Sequence, residues 1–186
     1  MKVQSCYSLK YGVLQPDELV DWALDAGYPH ILLADINSTG AALSLVRSAK
    51  AKGLKPIVGV ELRNDTEVKA TVIARNNRGF HELNTFLSKY LHDKIDFPDR
   101  IPHLSNCYVS YPYPGPFDDL KSNEYIDIQL DNINILNKKF NILNARKVIV
   151  LPTMVFRNKR DYNTHRLLRS IHYNTLLSKL SQMQCA

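Results

Sequence analysis

The chain has 186 residues, enough for one domain with a real core, and its 45% hydrophobic and 23% charged content is ordinary for a globular protein. No apolar run approaches the ~20 residues that span a bilayer, and the opening MKVQSCYS has no apolar signal-peptide region, so no membrane role and a cytoplasmic setting are expected. The net charge of +6 is uneven: residues 138–186 hold ten Lys/Arg against the single acid Asp161, whereas the first 137 hold 14 basic and 17 acidic residues.

Short apolar runs alternate with helical periodicity, which predicts an α/β fold with parallel strands. A strand is expected over Lys2–Ser5, then a helix opening at Pro16-Asp17-Glu18, where proline and acids suit a first turn. Leu19, Val20, Ala23 and Leu24 form its stripe, and Gly27 offers a stop. Ile31–Ala34 reads as a strand covered on both faces. Ser38 or Thr39 is placed to cap a helix carrying Ala42, Leu45, Val46 and Ala49. Pro56–Leu62 and Val68–Ala74 read as strands joined by a turn at Asn64-Asp65, and Asn77 as the cap of a helix with Phe80, Leu83, Leu87 and Leu91 inward.

Residues 93–123 read as a loop around one strand, Cys107–Ser110. Tyr125–Leu130 and Lys147–Leu151 read as strands with a polar helix between them. A final helix is expected from Lys159 to Leu180, with Leu167, Leu168, Ile171, Leu177 and Leu180 as its apolar stripe. Cys6, Cys107 and Cys185 are odd in number and form no CxxC pair, which suggests neither a disulfide framework nor a cysteine zinc site. The aromatic run YVSYPYPGPF (108–117) contains no basic residue, which gives a nucleic-acid stacking platform little support.

Three fragments carry more: VQSCYSLKYG (3–12), HILLADINSTGA (30–41) and GLKPIVGVELRN (53–64). They resemble the opening of the PHP domain that leads bacterial DNA polymerase III alpha subunits, in which they run roughly H-x-H-S-x-Y-S-L-x-D-G, L-T-D-H-G and G-x-K-P-I-x-G-x-E. VIARNNRGFHELNTFLS (72–88), EYIDIQL (124–130) and KVIVLPTMVFRNKRDYNTHRLLRSI (147–171) are similar to later family elements. The resemblance implies one PHP domain over 1–186: a distorted (βα)7 TIM-like barrel with its site at the C-terminal strand ends. Polymerase PHP domains are usually longer, so the barrel is expected to be incomplete at its C-terminus.

The family binds up to three metal ions with His, Asp, Glu and sometimes Cys. Here Lys2 and Gln4 stand where two histidines belong, Tyr11 where an acid belongs and Ile36 where the next histidine belongs. Lys69 replaces another histidine, Thr153 and Val155 replace a late Asp-x-His pair, and Ser110, Tyr111 and Pro112 fill the region of a Cys or His. Glu61 alone matches. One carboxylate among lysines implies an ion-pair cluster in a degenerate cleft, with no metal, no catalytic residue and Glu61 paired to Lys2 or Lys69. Asp35 is expected to orient the neighbouring loop by hydrogen bonds. His165, which matches a family histidine on the last helix, is expected to pack or hydrogen-bond under the barrel, His81 to lie on the surface, and His30, His92 and His103 to sit in connecting sequence.

The resemblance implies a non-catalytic module in DNA replication. Its partners would be the polymerase domains of a longer parent chain, and it would brace them or dock a proofreading exonuclease. The parent would be a DNA-directed DNA polymerase, a nucleotidyltransferase with Mg2+ in its polymerase domain. The basic face (Arg157, Lys159, Arg160, Arg166, Arg169) would meet that domain or DNA. Two other readings stand beside it. One is a stand-alone metal-dependent phosphoesterase, a histidinol-phosphatase relative or a 3′–5′ exonuclease. The other is a DNA- or protein-binding scaffold that recruited the fold.

Overall fold

A computed structural model describes residues 1–114, 119–128, 146–181 and 184. The polar helix expected between residues 130 and 147, the end of the 125–130 strand, Lys138, Lys139 and Cys185 lie outside the described residues. The architecture is mixed α/β, and the chain divides into two compact units: residues 1–56 with 153–186, and residues 57–152.

In the first unit, β1 (Lys2–Val3) lies between β2 (His30–Ile36) and β8 (Thr153–Met154), parallel to both. Helix α1 (Pro16–Asp25) begins as read: Pro16 sits in the first turn, Gln15 and Glu18 close a capping box, and Gly27 leaves the helix at φ +73°. Leu19, Val20 and Ala23 pack with Val3, Ile31 and Leu33, while Leu24 remains 36% exposed. Helix α2 (Ala42–Ala51) corrects the expected cap. The Ser38 hydroxyl accepts the Gly40 N–H at 3.1 Å and so stabilises the preceding turn, and the helix opens later, at Ala41, with no side-chain cap.

The last helix, α4 (Lys159–His172), is shorter than the periodicity predicts, because Asn174 takes φ +48° and turns the chain out of the helix. A short 3-10 turn follows at Leu177–Lys179. Its buried face is also not the apolar stripe. Asp161, His165, Arg169 and Ser170 are buried, whereas Leu167 and Ile171 are more than half exposed.

In the second unit, β3 (Lys55–Asn64; its first two residues belong to the first unit) and β4 (Glu67–Ala74) form an antiparallel hairpin. β4 then pairs antiparallel with β5 (Cys107–Pro112). β5, β6 (Glu124–Asp127) and β7 (Val148–Ile149) run parallel, so the strands of this unit are mixed in direction. For β3 and β4 the reason is the short turn at Asp65, φ +52°: a link this brief can join only antiparallel strands. Helix α3 (Asn77–Asp93) covers one face, burying Leu83, Phe86 and Leu87 against Val60, Leu62 and Val72. Its cap is Asn76 rather than Asn77: Asn76 is extended, and its side chain accepts the Gly79 N–H at 3.0 Å.

Candidate functional site: a cleft without its ligand set

Strand alternation sorts the predicted cleft residues. In the first unit Lys2 is in register with Leu32 and Thr153, and Val3 with Leu33 and Met154. Lys2, Ile36 and Thr153 therefore share one sheet face. Gln4 prolongs β1 by donating its N–H to Met154 O at 3.1 Å, and keeps the same alternation. Lys2, Gln4 and Val155 are buried and Thr153 is exposed.

Asp35 belongs to the opposite, helix-covered face, and its carboxylate is fully buried. Oδ1 accepts the Ser5 N–H at 2.6 Å and the Ser8 hydroxyl at 2.8 Å, and Oδ2 accepts the Ser5 hydroxyl at 2.7 Å. Ser8 Oγ in turn accepts the Ile36 N–H at 3.0 Å, and Ser5 Oγ the Tyr7 N–H at 3.2 Å. Burial raises the Asp35 pKa above the ordinary carboxyl value, and the donors from Ser5 and Ser8 offset only part of that rise. This is the loop-orienting role read from the sequence. Gly12 completes the same loop: a Cβ there would lie 1.8 Å from Ser5 O.

Tyr11 is engaged by α4. Its ring meets His165 edge to face at 4.8 Å, and the Arg169 guanidinium lies 4.9 Å from its centroid. Tyr11 O pairs with His165 Nδ1 at 2.7 Å, so His165 holds the loop from below. Arg169, expected on a basic surface, is buried and donates to Gln184 O and Tyr173 Oη, both at 2.9 Å. Arg157 is held by Asp161 (2.9 Å) and Glu18 (3.4 Å), and Arg166 donates to Leu177 O at 3.1 Å. Of the five predicted cations, Lys159 and Arg160 are the exposed ones without such a side-chain contact among the described residues.

In the second unit Glu61, Thr71 and Ser110 form a buried row across β3, β4 and β5. Glu61 Oε1 accepts from Arg63 Nε and Nη2, both at 2.6 Å. Sequence reading missed this partner, although Arg63 is two residues along the same strand. Lys69 does not turn to Glu61, which removes that one of the two expected partners. It lies beside the irregularity at Leu62/Arg63 and pairs with Glu67 and Asp99, both at 2.8 Å. Those two carboxylates raise its pKa, Asp99 the more strongly, so its charge is kept. Among the described residues no three His, Cys, Asp or Glu side chains group so as to hold a metal ion. Lysine, glutamine, threonine and an arginine-bound glutamate do not fit the metals that the resemblance implies.

Residues 1–113 match the family described as the PHP domain. The chain belongs to the PHP domain family. Its curated relatives include the DNA polymerase III subunit alpha of Ureaplasma parvum serovar 3, 26% identical over 178 residues, covering 90% of this chain and 18% of that protein. The same subunit of Streptococcus pyogenes serotype M3 is 23% identical over 185 residues, covering 96% and 17%. This PHP chain thus spans less than a fifth of the length of those two relatives. An amidohydrolase from Chromobacterium violaceum is a distant structural likeness, with TM-score 0.40, 14% identity and coverage of 92% and 82%. Among the described residues no helix is long and apolar enough to cross a membrane.

Proposed function

We propose that this chain is the PHP module of a DNA polymerase III alpha chain and has no phosphoesterase chemistry of its own. The observation that carries the reading is Glu61: the one acid left at a ligand position is closed by Arg63 at 2.6 Å. The similarity of 90–96% of this chain to part of those alpha subunits supports the polymerase context. In this reading the module works in the cytoplasm and braces the polymerase domains of the same parent chain. Docking of a proofreading exonuclease is a further role in the same reading. Nucleotidyl transfer and its magnesium belong to the polymerase domain, not to residues described above.

The test is metal retention and turnover together. The chain is loaded with manganese or zinc, passed through gel filtration, and assayed on a nucleotide phosphodiester. The expected result is no stoichiometric metal and no hydrolysis above a histidine-poor control protein. Stoichiometric metal with hydrolysis that disappears in Glu61→Gln would overturn the reading in favour of the stand-alone phosphoesterase.

A further inference from the structure

The second unit carries a surface row that sequence order conceals. Arg75 follows β4, and its guanidinium lies 5.0 Å from the centroid of the Tyr108 ring on β5. Tyr108 meets Tyr125 of β6 edge to face at 5.8 Å. Lys147 Nζ then lies 5.0 Å from the Tyr125 ring. The registers Ile73↔Tyr108 and Ser110↔Tyr125 line these groups up across three strands. The aromatic run at 108–117 has no base of its own, but the sheet brings it cations from 33 positions before Tyr108 and 39 after it.

The two ends of the row differ. Lys147 is fixed: its ammonium donates to Lys121 O at 2.7 Å and Ser122 O at 2.8 Å. Arg75 is exposed, and among the described residues its side chain is held by the Tyr108 ring rather than by a carboxylate. Tyr108 is itself 38% exposed. Beside Arg75, the side chains of Asn76, Asn77, Arg78 and Asn106 line a shallow recess, with Arg78 also exposed. The acid adjoining this recess is Glu82. Both its oxygens are taken by Asn106, whose N–H and side-chain amide donate at 3.0 and 2.7 Å.

We propose that the Arg75–Tyr108–Tyr125–Lys147 row binds single-stranded nucleic acid, with Tyr108 as its stacking platform. A base offers a flat face to Tyr108, and the exposed Arg75 can lift to cover the other side of that base. Arg75 and Arg78 then lie beside the backbone phosphates, and the amides of Asn77 and Asn106 supply neutral hydrogen-bonding groups. An acidic peptide would use the arginines but would gain nothing from an open tyrosine face, so the ring decides for nucleic acid. This inference is independent of the lost metal site.

The experiment is fluorescence anisotropy of labelled oligothymidine with the 186-residue chain at low salt, and again as salt is raised. Tyr108→Ala is expected to weaken binding by about fivefold or more, and Tyr108→Phe by less than about twofold, because the ring is retained. Arg75→Ala should also weaken binding, while the double variant Lys159→Ala/Arg160→Ala should not. An abasic deoxyribose-phosphate strand of equal length should bind equally to parent and Tyr108→Ala. No binding at low salt, an unaffected Tyr108→Ala variant whose circular dichroism matches the parent, or equal displacement by polyglutamate would each overturn the proposal.

Discussion

Replacing Asp35 with alanine strikes the anchor of the loop over residues 5–12. The change strands one buried backbone donor, the Ser5 N–H, and removes the acceptor from the Ser5 and Ser8 hydroxyls. A stranded buried donor costs about 1–3 kcal/mol, and a hydrogen bond to a charged group contributes about 1.5–3. The hydroxyls can rotate to other acceptors, and the buried carboxylate's desolvation penalty disappears with it, so a net loss of about 3 kcal/mol is expected. With a urea slope of about 2 kcal/mol/M, that lowers the unfolding midpoint by about 1.5 M. Asp35→Asn should lose less, because its one oxygen still accepts from Ser5 N–H and Ser8.

The pH dependence has a definite sign. The Asp35 pKa is raised in the folded chain, so folded protein keeps this proton where the unfolded chain has released it. Its contribution is fully present below the ordinary value of about 3.9 and falls as pH rises through the folded pKa. The gap between parent and Asp35→Ala should therefore be wider in mildly acidic urea melts than in mildly basic ones. A midpoint shift below about 0.5 M, or an Asp35→Asn loss equal to that of alanine, would refute the anchoring argument.

Gly12→Ala and Gly59→Ala should both cost about 3 kcal/mol or more, read as lost soluble expression or a collapsed thermal midpoint, because each Cβ would meet backbone: Ser5 O at 1.8 Å and Val72 O at 2.5 Å. Gly27→Ala, with open space around it and only φ +73° against it, should cost about 1 kcal/mol in the same melts. Cys107 is buried with its thiol pushed up to about 11 and directed to Gly79 O, so it should resist a disulfide reagent at neutral pH until the chain is unfolded, whereas the half-buried Cys6 reacts first. Burial acts to raise the pKa of both Glu124 and Asp161, but Arg100 with the Lys121 N–H, and Arg157 through its side chain and N–H, outweigh it. Glu124→Gln and Asp161→Asn should therefore be less stable than the parent near neutrality and converge with it as pH falls below the ordinary carboxyl range, the opposite sign to Asp35.

Most elements were legible because their signals are local. Pro16 and Gly27 bracket α1, and the run from Ile31 to Ala34 marks β2. What escaped was set by partners distant in sequence. Periodicity places Leu167 and Ile171 inward, but α4 instead buries His165 and Arg169, whose polar atoms are met by Tyr11 O, Gln184 O and Tyr173 Oη. A polar face with its hydrogen bonds satisfied can be buried, and no hydropathy pattern registers that. The cap at Asn76 and the end of α4 at Asn174 turn on single backbone conformations, beyond the reach of composition. Of the predicted ligand positions, the substitutions at 2, 4, 36 and 69 and the retained Glu61 were readable position by position. Arg63 as partner of Glu61, and the separation of Asp35 from the Lys2 face, required the sheet.

The Asp35 anchor gives the chain a practical use. Its loop is pinned by a carboxylate, two hydroxyls and a peptide N–H, all on the face of the first unit opposite Lys2, Gln4 and Ile36. Side chains can therefore be varied at Lys2, Gln4 and Ile36 while this anchor stays on the other side of the strands. Lys2→His, Gln4→His and Ile36→His, introduced together, would place imidazoles at the three positions where the family carries histidines. That makes the chain a starting scaffold for installing a metal centre stepwise, with apo and loaded forms compared in the same fold.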